Sequence, residues 1–270
     1  MAIDPTRFCI NRKIAPNLSI DAFFQLVHSL GLNKVELRND MRGGKVTDNH
    51  ATAEVRSLTK RLGLEIITIN ALYPFNLPDD ALMARAEGLL KDAQTIGAKA
   101  LVMCPLNDGT PVTADATLAA MKKLAPLFER YGIEGLVEPL GFPASSLRSA
   151  VQTQALIRDA CVPFRLVLDT FHHHLYEQAE AEFAQNIDIN GIGLVHLSGV
   201  EDTRPTEQLT DEERIMLSDA DVLRSVAQVR RLEKMGYRGI YSFEPFSSVM
   251  EGWSATQIER EIRQSINLLQ

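Results

Sequence analysis

The amino-acid sequence predicts one (β/α)8 TIM barrel over residues 1–270. Eight short apolar runs alternate with amphipathic segments, which is typical of parallel strands joined by helices. Several of the connecting segments end in a glycine just before the next apolar run, where a helix C-cap is expected. No low-complexity stretch or Ser/Gly-rich linker interrupts the alternation, so we expect a single domain.

The eight predicted strands have the length and apolar content of buried parallel strands. They cover residues 8–11, 34–38, 65–70, 100–104, 133–139, 164–169, 191–198 and 239–246. The predicted cap positions are Gly31, Gly63, Gly97, Gly132 and Gly236. A doubly wound open sheet would need a glycine-rich phosphate loop after the first strand, and residues 11–16 contain no glycine. The barrel is therefore the favoured architecture.

Two helices can be placed from their apolar periodicity. One face of the third helix is predicted to consist of Leu82, Ala86, Leu89, Ala93 and Ile96. The last helix is predicted to begin at Ser254, because Ser254 and Gln257 have the spacing of a capping box. Its apolar face continues through Ile258, Ile262 and Ile266.

Composition and charge restrict the classes of partner. The net charge is −7 and no cluster of Lys and Arg offsets it, which argues against nucleic acid. No apolar run approaches the length of a membrane span. Cys9, Cys104 and Cys161 lie far apart without a metal-ligand spacing, as expected of reduced thiols. The first strand follows the N-terminus without a signal segment, so we expect a cytoplasmic protein.

The last four predicted strands each end in a residue type that binds metal ions. These residues are Glu138, Asp169, His196 and Glu244. The carboxyl ends of the strands in a barrel lie on one face, where the active sites of such barrels are built. The four side chains are therefore expected to converge.

Each of the four residues also has an ordinary structural explanation when it is taken singly. Either glutamate suits a loop ion pair, Asp169 a helix cap, and His196 a hydrogen-bonded core position. Packed together without a cation, however, three carboxylates would repel one another. One divalent ion removes that cost, and an oxygen-rich set with one imidazole suits Mn²⁺, Mg²⁺, Co²⁺ or Zn²⁺.

The two glutamates also suggest a reaction. One carboxylate can remove a proton from a carbon beside a carbonyl, and the other can return a proton to the neighbouring carbon. The metal ion would stabilise the enediolate formed between the two transfers. No serine nucleophile with a histidine base and no nucleotide-binding loop competes with this chemistry. We expect an isomerase or epimerase of hydroxy-ketones in which Glu138 and Glu244 are catalytic.

The pattern of these strand ends resembles a known family. A barrel with Glu, Asp-x-x-His, His and Glu on strands five to eight is similar to the xylose-isomerase-like superfamily of sugar isomerases and epimerases. Within it, the chain is most similar to the inosose isomerases (2-keto-myo-inositol isomerases) of inositol catabolism. The similar segments are residues 70–76, 166–174 and 209–214.

The resemblance implies roles for individual residues of this chain. It implies that Glu138, Asp169, His196 and Glu244 bind the metal ion. The related epimerases imply proton transfer by Glu138 and Glu244, and substrate contacts by His172 and Arg214. The spacing of His172 from Asp169 also permits a further metal ligand, whereas His173 and His174 are expected to be supporting or surface residues.

The connection after the seventh strand, residues 199–221, is expected to form a lid. Its capping box from Thr210 to Glu213 predicts a short helix that carries Arg214 toward the barrel mouth. A solvated surface loop is the alternative. Further side chains expected at the substrate pocket are Arg38, Asn70, Phe75, Phe142 and Trp253.

This connection also departs from the family. Residues 215–218 replace a Pro-Gly-x-Gly turn, and Ser198-Gly199 stands where an acidic residue is common. These departures bear on the substrate more than on the metal chemistry.

Other functions fit the same barrel. A ketose 3-epimerase or a hydroxypyruvate-type isomerase would use the same site. A nuclease similar to endonuclease IV needs further histidines on the early strands, where this sequence has residues 36–38 and Asn70. A non-catalytic binding barrel would not need both glutamates. The physiological metal, the particular polyol or ketose and the pairing of barrels into a homo-oligomer are left open.

Overall fold

The computed structural model describes residues 2–270 and confirms the barrel. Eight parallel strands close in sequence order, and the last strand pairs with the first. The strands are β1 (Phe8–Asn11), β2 (Lys34–Arg38), β3 (Glu65–Leu72), β4 (Ala100–Met103), β5 (Glu134–Val137), β6 (Arg165–Asp169), β7 (Ile192–Leu197) and β8 (Tyr241–Phe243). All eight fall on the apolar runs of the sequence.

Helices connect the strands on the outside of the barrel. They are α1 (Ile20–Ser29), α2 (Thr52–Leu62), α3 (Asp80–Ile96), α4 (Ala114–Tyr131), α5 (Ala150–Ala160), α6 (Thr170–Leu175), α7 (Ala179–Asn186), α8 (Ser225–Lys234) and α9 (Ala255–Leu269). Two short helices, α6 and α7, therefore follow β6 where the alternation predicted one. No helix between residues 2 and 270 combines the length and the apolar character that crossing a membrane requires.

Local capping explains most of the helix ends. The predicted cap glycines all have a positive φ, from 65° at Gly132 to 97° at Gly236, which a residue with a Cβ adopts at a cost. Ser254 caps α9 by accepting from the Gln257 N–H. In α3 the buried face is the predicted one, except that Leu90 rather than Leu89 is fully buried.

The main core fills the space between the strands and the helices, and α3 and α9 pack against it. A smaller cluster on alternate residues of β4 to β7 fills the barrel interior. A third cluster lies beneath the connection after β7. Its buried members are Phe171, Leu175, Val200, Leu209 and Leu223.

The predicted ends of two strands need a small correction that affects the site. β5 ends at Val137 and β8 at Phe243, so Glu138 and Glu244 are the first residues beyond their strands. Each glutamate still forms a backbone hydrogen bond to the neighbouring strand. Glu138 N–H donates to the Met103 carbonyl, and Glu244 N–H donates to the Leu197 carbonyl. Pro139 and Pro245 then end the pairing.

Candidate metal centre

Four side chains meet at the carboxyl ends of β5 to β8. One ligand atom from each of Glu138, Asp169, His196 and Glu244 lies within 4.8 Å of all the others, and all four residues are buried. His196 Nδ1 lies 2.9 Å from Glu138 Oε1, 3.1 Å from Glu244 Oε2 and 4.0 Å from Asp169 Oδ2. The structure therefore brings together the four residues predicted as metal ligands.

The position of Asp169 follows from strand pairing and helix capping together. Asp169 is in register with His196 across β6 and β7. Its Oδ1 accepts from the N–H groups of Phe171 and His172 at 2.7 and 3.2 Å, which caps α6. Its Oδ2 faces His196. The capping role and the ligand position proposed for this carboxylate are thus compatible.

Two buried arginines hold the carboxylates on one side of the cluster. Arg38 Nη1 donates to Glu244 Oε1 at 2.6 Å, and its Nε and Nη2 donate to Asp40 at 2.7 and 2.8 Å. Arg214 Nη2 lies 2.6 Å from Asp169 Oδ2 and 3.2 Å from Glu244 Oε2. Glu244 is consequently fixed at both oxygens by guanidinium groups.

The two glutamates have opposite electrostatic surroundings. Burial raises the pKa of Glu138 to about 7, helped by the nearby Glu244 and opposed by His196. Burial would also raise the pKa of Glu244, but His196, Arg38 and Arg214 lower it well below the ordinary value. Such a difference is typical of sites in which two carboxylates have different roles in proton transfer.

A fifth buried acid, Glu36 on β2, was not singled out from the sequence. Its Oε1 accepts from His196 Nε2 at 3.0 Å, on the opposite side of the ring from the four-residue cluster. Burial opposes ionisation, but His196 lowers the pKa of Glu36 to about 2. The other donors to this carboxylate are Asn11, Thr68, Asn70 and Ser242.

His172 lies beside the cluster rather than in it. Its Nδ1 accepts from the Gly141 N–H at 3.0 Å, so the remaining ring donor is Nε2. Burial lowers the pKa of His172, which keeps the ring neutral at neutral pH. The ring packs edge-on against Phe142 and Phe171. This geometry suits a hydrogen-bond donor to substrate.

We expect replacement of Gly141 by alanine to displace His172. A Cβ at Gly141 would lie 2.1 Å from the carbonyl oxygen of His172, a backbone atom that cannot rotate away. The free energy of unfolding should fall by about 1–3 kcal/mol, as measured by urea titration. Gly252→Ala is the matched control, because nothing lies within 4 Å of its Cβ position. Equal stability of the two variants would contradict the expectation.

A pocket of about 360 Å³ opens above the cluster. Of the predicted substrate-binding residues, Arg38, Asn70, His172 and Arg214 line it, as does Phe142. Residues on its wall that the sequence did not suggest include Asp40, Tyr73, Cys104, Asn107 and Phe246. Cys104 Sγ lies 3.7 Å from Glu138 Oε2, within reach of a weak hydrogen bond.

Two predicted pocket residues lie elsewhere. Phe75 is fully buried in the main core, because its N–H donates to the Cys104 carbonyl and the ring packs among apolar side chains. Trp253 lies in a separate groove with Val249 and residues 215–219, next to α9. The structure therefore places neither aromatic residue on the wall of the pocket above the cluster.

The connection of residues 199–221 is anchored to the barrel at particular buried residues, whereas most of residues 201–208 are exposed. Gly199 and Ile215 pair by two backbone hydrogen bonds of 2.7 and 2.8 Å. The capping box of Thr210 and Glu213 starts a 3₁₀ turn, Asp211–Glu213, directly before Arg214. Arg214 is 1% exposed, and its Nη1 donates back to Asp211 at 3.1 Å. The predicted short helix therefore carries Arg214 to the cluster.

The fold and the site define a class of protein. Three carboxylates and one imidazole, buried at the catalytic face of a barrel, form a donor set suited to one divalent metal ion. The chain belongs to the xylose isomerase-like TIM barrel family, whose sequence pattern matches residues 24–270. This is the sugar isomerase and epimerase superfamily that the strand-end residues resemble. No curated protein sequence is significantly similar to the chain.

Solved structures agree with the family. A xylose isomerase domain containing protein from Salmonella typhimurium LT2 is 64% identical, with a TM-score of 0.99 over 100% of this chain and 99% of that one. The IolI protein, solved with a zinc atom, is 20% identical, with a TM-score of 0.85 over 97% and 98%. A D-psicose 3-epimerase is 15% identical, with a TM-score of 0.65 over 97% and 96%. The last two similarities concern the fold.

Proposed function

We propose that this protein is a divalent-metal-dependent isomerase or epimerase. It would move a proton between adjacent carbons of a keto-inositol or a related ketose through an enediolate. The observation that carries the proposal is the convergence of Glu138, Asp169, His196 and Glu244 next to the pocket that Glu138 and Glu244 line. The similarly folded IolI protein was solved with a zinc atom, which supports a bound metal ion in this chain.

Each residue has a role that follows from its surroundings. A bound divalent ion would supply a positive charge that stabilises a developing enediolate oxygen. Glu138, which no arginine contacts, is suited to take up and release a proton near neutral pH. Glu244 is held ionised by Arg38 and Arg214 and is the second carboxylate of the proposed proton transfers. His172 Nε2–H would orient a substrate oxygen.

The charges of the pocket favour an uncharged substrate. The lining contains two arginines and four carboxylates. Both guanidinium groups already contact carboxylates. Arg38 pairs with Asp40 and Glu244. Arg214 pairs with Asp169, Glu244 and Asp211. Neither arginine is free to bind a phosphate group. A neutral polyhydroxy ketone needs only hydrogen bonds, which the amide, imidazole and hydroxyl groups of the wall supply.

We therefore expect the enzyme to discriminate against phosphorylated sugars. For a ketose that is turned over, kcat/KM of the phosphorylated counterpart should be lower by at least about 100-fold. The physical reason is that a dianion must be desolvated beside carboxylates without a free cation. Parallel assays of D-fructose and D-fructose 6-phosphate, or of another active pair, measure the ratio. A preference for the phosphorylated sugar would contradict this assignment.

The direct test is proton NMR of the purified protein with 2-keto-myo-inositol in D₂O. With Mn²⁺ or Zn²⁺ present, the signal beside the carbonyl should disappear and a second ketone should form. An EDTA-treated sample should show neither change. Absence of exchange with every inosose and ketose tried, at full metal occupancy, would refute the proposal.

A ketose 3-epimerase is the second candidate. The similarly folded structures include a D-psicose 3-epimerase and an L-ribulose 3-epimerase. An epimerase of this kind uses the same two-carboxylate chemistry but returns the proton to the carbon from which it came. Exchange at C3 of D-fructose with formation of its C3 epimer, and none with 2-keto-myo-inositol, would favour this candidate.

A further inference from the structure

Glu36 occupies a position that the proposed proton transfers do not use. It is 0% exposed and lies on β2, across the barrel from the strands that carry the four-residue cluster. The carboxylate is not a member of the cluster. A buried acid without a lysine or arginine partner is costly, so its retention in this sequence requires a physical reason.

The hydrogen bonds of Glu36 define its charge state. Oε1 accepts from Thr68 Oγ1 at 2.7 Å, from Asn70 Nδ2 at 3.0 Å and from His196 Nε2 at 3.0 Å. Oε2 accepts from Asn11 Nδ2 at 3.0 Å and from Ser242 Oγ. The amide nitrogens of Asn11 and Asn70 can only donate. Donors therefore surround both oxygens, as an ionised carboxylate requires.

Strand pairing explains how these donors come together. Glu36 is in register with Asn11 on β1 and with Thr68 on β3, and His196 is in register with Ser242 on β8. The hydrogen bond between His196 Nε2 and Glu36 Oε1 joins these two in-register sets inside the closed barrel. The combined group can form only when β8 pairs with β1.

We infer that Glu36 is a positioning residue that orients His196 and keeps the Nε2 proton in place, so that Nδ1 is available to a metal ion. The inference rests on the metal site of the proposed function. An ionised carboxylate can only accept, so Nε2 must be the donor in this pair, and Nδ1 faces Glu138, Asp169 and Glu244. Pairs of a carboxylate and a metal-binding histidine orient the ring and raise its basicity.

Asn11 extends this support to a second ligand. Its Nδ2 lies 3.0 Å from Glu36 Oε2 and 3.3 Å from Glu244 Oε1, and its Oδ1 accepts from Arg38 Nη1 at 3.3 Å. The supporting carboxylate is therefore linked to His196 directly and to Glu244 through one amide group.

The test compares zinc affinity of the wild-type chain and Glu36→Gln. Competition with a chromogenic chelator should give a dissociation constant 10- to 100-fold higher for the variant. Glu233→Gln is the matched control, because Glu233 accepts from Arg7 and Tyr241, outside the cluster and its supporting residues. The control should bind zinc as the wild type does. Equal affinity of Glu36→Gln and wild type would overturn the inference and leave the metal site standing.

A measurement on the zinc-loaded wild-type chain keeps the inference testable if Glu36→Gln fails to fold. Long-range ¹H–¹⁵N correlation spectra of histidine-labelled protein distinguish the two ring nitrogens. His196 should show a proton on Nε2 and a metal-shifted Nδ1. A His196 ring bound to zinc through Nε2 would overturn the inference. If the wild type binds neither zinc nor any of Mn²⁺, Co²⁺ and Mg²⁺, the proposed function fails together with the inference.

Discussion

Replacing Glu244 by glutamine should reduce kcat by at least about 10³-fold while the barrel stays folded. The side chain keeps its shape but loses the negative charge, so it can no longer accept a proton. The substitution also removes one of the three carboxylates from the set of metal-binding side chains. Losses of 10²- to 10⁴-fold are usual when a positioned acid or base is removed, and the weakened metal site adds to the effect.

The measurement is kcat at saturating metal ion, with far-UV circular dichroism to establish folding. Glu134→Gln is a suitable control, because Glu134 lies at the opposite end of β5 from Glu138 and pairs with Arg165. The control should retain kcat within about twofold, as expected of a surface substitution. Unchanged turnover in Glu244→Gln would refute the mechanism with two glutamates.

The strand ends could be predicted from the sequence because they depend on local order alone. An apolar run of strand length determines where a residue such as Asp169 or Glu244 stands along its strand. The barrel topology then places all carboxyl ends on one face. Four metal-binding residue types at four successive ends were thus sufficient to predict the cluster, without any knowledge of side-chain rotamers.

The supporting residues could not be predicted in the same way. Glu36 is a single acid within an apolar strand, and its donors are scattered among β1, β3, β7 and β8. Only closure of the barrel brings them together. Phe75 and Trp253 show the converse limitation. Both follow strand ends in the sequence, but an aromatic residue in a loop carries no signal for the side on which its ring packs.

For Arg214 the position could be predicted from the local sequence, whereas its contacts could not. The capping box before it predicted its approach to the mouth, and in the structure Arg214 lines the pocket. Its partners depend on tertiary structure: the guanidinium group lies between the rings of Phe171 and Phe246, at 4.8 and 4.5 Å from their centroids. The side chain therefore fastens the connection after β7 to the cluster. We propose that this connection is the lid over the substrate, with Arg214 as its anchor.

Replacing Arg214 by methionine should destabilise the metal-free protein by about 3–5 kcal/mol. The substitution retains most of the apolar volume but leaves buried Asp169 without its guanidinium partner and Glu244 with Arg38 alone. Breaking a buried ion pair costs this much. A divalent metal ion should recover part of the loss, because its charge compensates the same carboxylates. The measurement is urea unfolding with EDTA and with saturating Mn²⁺.

The same variant tests the lid, because Arg214 also joins Asp211 to the cluster. KM should rise by about 10- to 100-fold, the range expected when hydrogen bonds to a charged group are lost. Arg165→Met removes a partly exposed ion pair with Glu134 and should change stability by less than about 1 kcal/mol, with KM unaltered. Arg214→Lys keeps the positive charge but not the planar guanidinium group. Its KM and its stability should lie between those of Arg214→Met and Arg165→Met. An unaltered KM in Arg214→Met would show that the connection after β7 does not close on the substrate. Equal stability of this variant with and without metal ion would show that Arg214 and the metal ion do not share Asp169 and Glu244.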